Sequence, residues 1–132
     1  MIELDLVIKL KAIAGLAALV ADRVYWLTAP PRLTKSHVVL TQVAGDEEAS
    51  HDGAEGLSRM RLQVDCYADS FADACAMRKL IHRTLHGQTF SQGDTVVDSG
   101  LGLLSLDFVD DDFPSTRFRA MEDFELEYHT SS

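Results

Sequence analysis

Cysteine is scarce in this chain, positive charge is scarcer than negative, and long apolar runs are missing. The two cysteines, Cys66 and Cys75, stand in no metal or redox spacing. They are therefore expected to be small buried hydrophobes in a reducing compartment rather than a disulfide. No apolar run approaches the roughly 20 residues that span a bilayer, so no membrane partner is expected. Twelve Lys and Arg face 21 Asp and Glu, leaving a formal charge of −9. That balance lacks the basic footprint a nucleic-acid wrapping surface requires, although DNA can pass such a protein without adhering. The opening Met1-Ile2-Glu3-Leu4-Asp5 has no basic n-region of a signal peptide. The expectation is a chain that begins at or near Met1 and is made in the cytoplasm.

What remains is an ordinary globular composition, 46% hydrophobic and 25% charged over 132 residues. That length suits one domain, 1–132, burying roughly two-thirds of its unfolded surface. Ile2, Leu6, Leu10, Ile13 and Ala17 recur at spacings of three and four, predicting a helix over the first 20 residues. Asp5, Lys9 and Ala12 fall on its other side, and Gly15 weakens its middle. Residues 23–27 and 37–43 read as strands, the first stopped by Pro30 and Pro31. Residues 44–56 turn to Gly, Asp, Glu, Ser and His and read as a mobile loop.

Met60, Leu62, Val64 and Cys66 alternate with Arg59, Arg61, Gln63 and Asp65, predicting a strand with one buried and one wet face. Ser70 is placed to cap a helix on the stripe Phe71, Ala74, Met77, Ile81 and Leu85, and Gly87 to stop it. Three strands follow, at residues 95–97, 103–109 and 117–128, with Glu122 interrupting the apolar face of the last and suggesting a bulge there. The predicted fold class is α+β, an antiparallel β-sheet packed by two α-helices.

No reactive constellation emerges. His82 and His86 have the i, i+4 spacing of metal ligands, but no third ligand is near in sequence. Two surface histidines are the simpler reading. Asp110, Asp111 and Asp112 lack the alternate spacing, central Gly and closing Glu of a calcium loop. Gly100-Leu101-Gly102 is too short for a phosphate loop and precedes no helix. No catalytic residue, metal or cofactor is therefore assigned. Two acidic clusters remain, Asp46, Glu47 and Glu48 in one loop and Asp110, Asp111 and Asp112 in another. They serve solubility, or they line a passage whose negative wall keeps DNA from sticking.

Four stretches, taken together, resemble a known family. They are Leu16-Ala17-Ala18-Leu19-Val20 followed by Asp22-Arg23-Val24-Tyr25; His37-Val38-Val39-Leu40; the strand from Arg59 to Ala68 running into an alanine-rich helix; and Phe118-Arg119-Ala120-Met121-Glu122-Asp123-Phe124. In order and spacing they are similar to the tail-completion, or tail-terminator, proteins of long-tailed phages. The chain departs from that pattern at residues 29–33 and in its more charged Asp110 turn. The resemblance implies a non-enzymatic virion protein without cofactor, a ring usually of six subunits that caps the tail tube and joins it to the head. Its partners would be further copies of itself, the tail-tube protein and a head-side connector, with DNA passing through. It would reside in the virion, after assembly in the host cytoplasm. The competing readings are another neck or tail-assembly component, and a small ligand-binding or enzymatic α+β domain.

Overall fold

Alternation along the chain becomes β3, Ser58–Ala68, whose inward residues Met60, Leu62, Val64 and Cys66 are each at most 2% exposed. It is the third strand of a sheet in a computed structural model that describes residues 1–46, 57–110 and 117–131. The other elements, in chain order, are α1 (Ile2–Lys11), α2 (Ala14–Val20), β1 (Val24–Trp26) and β2 (His37–Asp46), then, after β3, α3 (Phe71–Leu85), β4 (Phe90–Gln92), β5 (Thr95–Asp110) and β6 (Arg117–Thr130). Among the described residues the strands form one six-stranded sheet in the order β1-β2-β3-β6-β5-β4.

β6 lies at the centre, paired without a break to β3 from Phe118 to Tyr128 and along its length to β5. Its inward residues Ala120, Phe124 and Leu126 are fully buried. α3 packs across β6, β3 and β5, inserting Ala74, Met77, Ile81 and Leu85. Ser70 caps it as expected, its Oγ accepting from the Asp73 N–H at 3.1 Å, and Gly87 follows with φ +70°. α1 and α2 add Leu6, Leu10, Leu16 and Val20 to the same core.

Several expectations need correction. Three helices pack the sheet rather than two, because the N-terminal segment breaks at Ala12-Ile13 and not at Gly15. Gly15 lies inside α2, where a Cβ would meet Leu80 at 3.2 Å. The sheet is not wholly antiparallel, since β1 runs parallel to β2. The segments expected as two strands at residues 95–97 and 103–109 are one sixteen-residue strand, β5, and β4 forms a short hairpin with its start. The irregularities lie in β5, between Val97 and Ser99 and between Gly102 and Leu104, and in β2 between Gln42 and Ala44, and not in β6 at Glu122. Of the loop expected at residues 44–56, residues 44–46 extend β2, while residues 47–56 lie outside the described residues. Asp5, expected on the polar side of α1, is buried, its carboxylate accepting from Thr95 Oγ1 at 2.5 Å.

Gly100 explains how α3 comes so close to β5. A Cβ at Gly100 would lie 2.3 Å from the Leu85 carbonyl oxygen, and the Gly87 N–H donates to the Gly100 carbonyl at 2.9 Å. Gly100→Ala should therefore displace the end of α3 and cost about 1–3 kcal/mol, read as a lower urea midpoint. The neighbouring Leu101→Ala, at a half-exposed position, should stay within about 0.5 kcal/mol of the parent. Equal midpoints for the two variants would show that α3 does not need this close approach.

Candidate functional site

Polar chemistry in the described structure gathers where α3 crosses β5 and β6. A cleft of about 340 Å³ opens there, lined by Cys75, Arg78, Lys79, His82, Ser105 and Glu122. Glu122 takes an inward position on β6, between the core residues Ala120 and Phe124, and is only 5% exposed. Its Oε2 lies 2.7 Å from His82 Nδ1. Gly102 leaves the room for it, since a Cβ there would fall 2.4 Å from that same oxygen. The His82 ring stacks on His86, with centroids 4.6 Å apart and planes 15° from parallel. His86 Nδ1 in turn accepts the Gly102 N–H at 3.0 Å. One turn earlier, Arg78 donates to Asp107 at 2.7 Å and to the Leu106 and Met121 carbonyls.

These contacts change the reading of the histidine pair. His82 and His86 are not free surface side chains but half-buried rings that tie α3 to both strands. Each directs its Nδ1 to a protein partner, and among the described residues no cluster of three or more His, Cys, Asp or Glu is arranged to hold a metal. Cys66 is fully buried, and desolvation pushes its thiol far above the ordinary range, which makes it a poor nucleophile. Both cysteines are free. His37, buried at the start of β2, stacks on Tyr67 at 4.6 Å. Burial holds its pKa below the usual histidine value, and its Nδ1 lies 2.8 Å from the Lys35 carbonyl.

The acidic clusters are not brought together at their strand ends. Asp46 ends β2 on the rung of Arg59, Glu127 and Ser99, whereas Asp110 pairs with Arg117 at the opposite end of β6. Ten β6 residues separate those rungs, roughly 34 Å of strand. Glu47, Glu48, Asp111 and Asp112 lie outside the described residues.

A surface feature that the sequence reading missed lies on β5. The bulge at Leu103 shifts the side-chain alternation, so that Leu101, Leu104 and Leu106 pair with Glu125, Asp123 and Met121 on the face of the sheet away from α3. These three leucines, with Leu103 and Val109, are 40–57% exposed. Leu101, Leu104 and Leu106 thus share one exposed face, and such a group of large hydrophobics side by side marks an interaction surface more often than chance scatter. The signal was present in the sequence as Leu101, Leu103, Leu104 and Leu106, but simple alternation assigns only half of such a run to solvent.

The Glu122 contact is testable by itself. His82→Leu leaves a buried carboxylate without that partner and should cost about 2 kcal/mol in urea unfolding. Adding Glu122→Met should restore most of the loss, because an apolar pair removes the desolvation problem altogether. A single variant as stable as the parent would mean that the carboxylate needs no histidine.

The described residues contain no helix long and apolar enough to cross a membrane. Among curated proteins, none matches this sequence. Eight chains of solved structures match the fold. One belongs to the virion of a native gene transfer agent particle, with a TM-score of 0.73 and 20% identity, covering 96% of this chain and 92% of that one. Residues 5–124 match the sequence model of the family described as tail completion protein gp17. That match takes in the N-terminal helices, α3 and the strands up to Phe124 on β6, and the chain therefore belongs to this family of structural phage tail proteins.

Proposed function

We propose that this chain is a tail terminator, a non-enzymatic subunit that assembles with copies of itself into a ring, caps the tail tube and offers the other face of that ring to a head-side connector. The observation that carries this reading is the family match over residues 5–124. The exposed leucines of β5 support it, because a subunit of an assembly has a use for apolar surface that a solitary enzyme does not. Arg78, His82 and Glu122 of the cleft are occupied in holding α3 to the sheet, which favours assembly over a small-ligand or enzymatic role. No cofactor is called for by this chemistry. The single-domain reading, 1–132, accords with one sheet and one shared core.

Electron microscopy of the purified protein, alone and mixed with unjoined tails, is the direct test. Rings of uniform diameter, and tails closed at the head-proximal end, are the expected result. A protein that stays monomeric and leaves tail ends unaltered would sink the reading, and a tail component bound along the tube would favour the alternative of a different assembly protein.

The acidic clusters, Asp46, Glu47 and Glu48 and Asp110, Asp111 and Asp112, belong to the same proposal as walls of the passage. A phosphate backbone slides past carboxylates but accumulates contacts with Lys and Arg through counterion release. Particles carrying Asp110→Lys, Asp111→Lys and Asp112→Lys should assemble yet eject DNA more slowly at low ionic strength, with the delay shrinking in high salt. Ejection at the parent rate in low salt would place this cluster away from the passage.

A further inference from the structure

We infer that copies of this chain join head to tail along the sheet, the bare edge of β5 in one copy lying against the β1–β2 edge of the next. This rests on the ring reading above and names the surfaces that would build it.

The two sheet edges are stepped in opposite senses. β4 covers β5 at Thr95–Val97, and His86 and Gly87 continue that cover through their bonds to Gly102 and Gly100. From Leu103 onward no strand of the described residues lies outside β5. On the opposite edge, β1 covers β2 at Val38, Val39 and Leu40, and among the described residues β2 beyond Leu40 has no outer strand. Tracing the ladder places Trp26, Leu40, Val64, Glu122 and Ser105 on one rung. The projecting β1 of one copy therefore stands at the height of the bare part of β5 in a copy set beside it. β2 and β5 are separated by three antiparallel pairings, so the new neighbours would also run antiparallel, and unpaired backbone groups could extend the sheet.

The side chains agree with that match. Leu104 and Leu106 are 46% and 43% exposed on β5, and Leu27, directly after β1, is 60% exposed. Leu27 follows Trp26 on the ascending strand, and Leu104 precedes Ser105 on the descending one, so the two leucines share a height. Charge favours this pairing over two β5 edges meeting each other. β5 and β6 carry seven carboxylates against two arginines, while residues 23–46 carry Arg23, Arg32 and Lys35 against Asp46 alone. A β5–β5 joint would oppose like charges; a β5–β1 joint opposes unlike ones. Because the two surfaces differ, the contact repeats from copy to copy instead of ending at a dimer, and a rotation that closes makes it the ring proposed above.

The test uses the full chain with Cys75→Ser, Leu27→Cys and Leu104→Cys, oxidised mildly and run on a non-reducing gel. A ladder of covalent multimers ending at the size of the ring is expected, with each variant that carries only one of the two introduced cysteines, beside the buried Cys66, running as a monomer after free thiols are alkylated. Leu104→Lys should raise the concentration needed for assembly by roughly tenfold or more, since the joint would bury an ammonium, while its far-UV circular dichroism and melting stay those of the parent. Dimers from Leu104→Cys alone would overturn the inference in favour of a β5–β5 contact. Light scattering on the parent separates the remaining failures. An assembled parent whose double variant gives no ladder overturns this joint and leaves the ring reading standing. A parent that is monomeric, alone and with tails, overturns both.

Discussion

A carboxylate in the middle of a core strand sets the terms for the elements around it. Glu122 occupies an inward β6 position, and an unpaired charge there would be costly enough to threaten a domain of ordinary stability. Its accommodation needs His82 at 2.7 Å from α3 and the missing side chain at Gly102 on β5. Three elements far apart in sequence are thereby held in one register. Apolar packing of Met77 and Ile81 would bring α3 to the sheet, but it tolerates sliding by a fraction of a turn. A hydrogen bond to a buried carboxylate does not, because its energy falls steeply with misalignment. The close approach at Gly100 then fixes the C-terminal end of α3 and the Arg78–Asp107 pair its middle.

The opposite face of the sheet follows a different logic. There Arg59 reaches Glu127 at 2.9 Å, Arg119 reaches Asp65 at 3.1 Å, and Arg61 lies 3.7 Å from Asp123. The exposed Arg59–Glu127 pair contributes about 0–1 kcal/mol, whereas Asp65 and Asp123 are themselves buried and would be costly without their arginines. The value of the three pairs lies in keeping β3 and β6 wettable without an unpaired charge. β5 breaks that pattern, since its leucines sit beside the charged ladder with nothing among the described residues over them. A protein that had only to remain soluble gains nothing from such a strand.

The elements whose information is local were legible in the sequence. β3 shows its burial in its alternation, and α3 carries its cap, stripe and stop within eighteen residues. The remainder depends on contacts between distant segments. Glu122 looked like a fault in an apolar face because its partner His82 is forty residues away. Gly100 and Gly102 looked like an interruption between two strands, whereas they are what lets one strand pass beneath a helix end. Asp5 was assigned to solvent because nothing local announces Thr95, ninety residues on. The parallel β1–β2 pairing follows from where the chain returns after Pro30 and Pro31, which no periodicity encodes. The acidic clusters were easy to see, yet their anchors lie at opposite ends of the sheet.

The central β3–β6 ladder also has a bearing on how the protein is made. It joins residues from 50 apart, at Ala68 and Phe118, to 70 apart, at Ser58 and Tyr128. Closing such long loops before any contact rewards them slows folding. The strand that completes the sheet is synthesised after every other strand it holds together. Until it arrives, β3 has only β2 and β5 only the short β4 beside it, and the leucines of β5 are open to any hydrophobic neighbour. Nascent chains crowded on one message would be most prone to misassociation in that interval, so the yield of soluble protein should depend on translation rate and chaperone supply more than the stability of the finished domain would suggest.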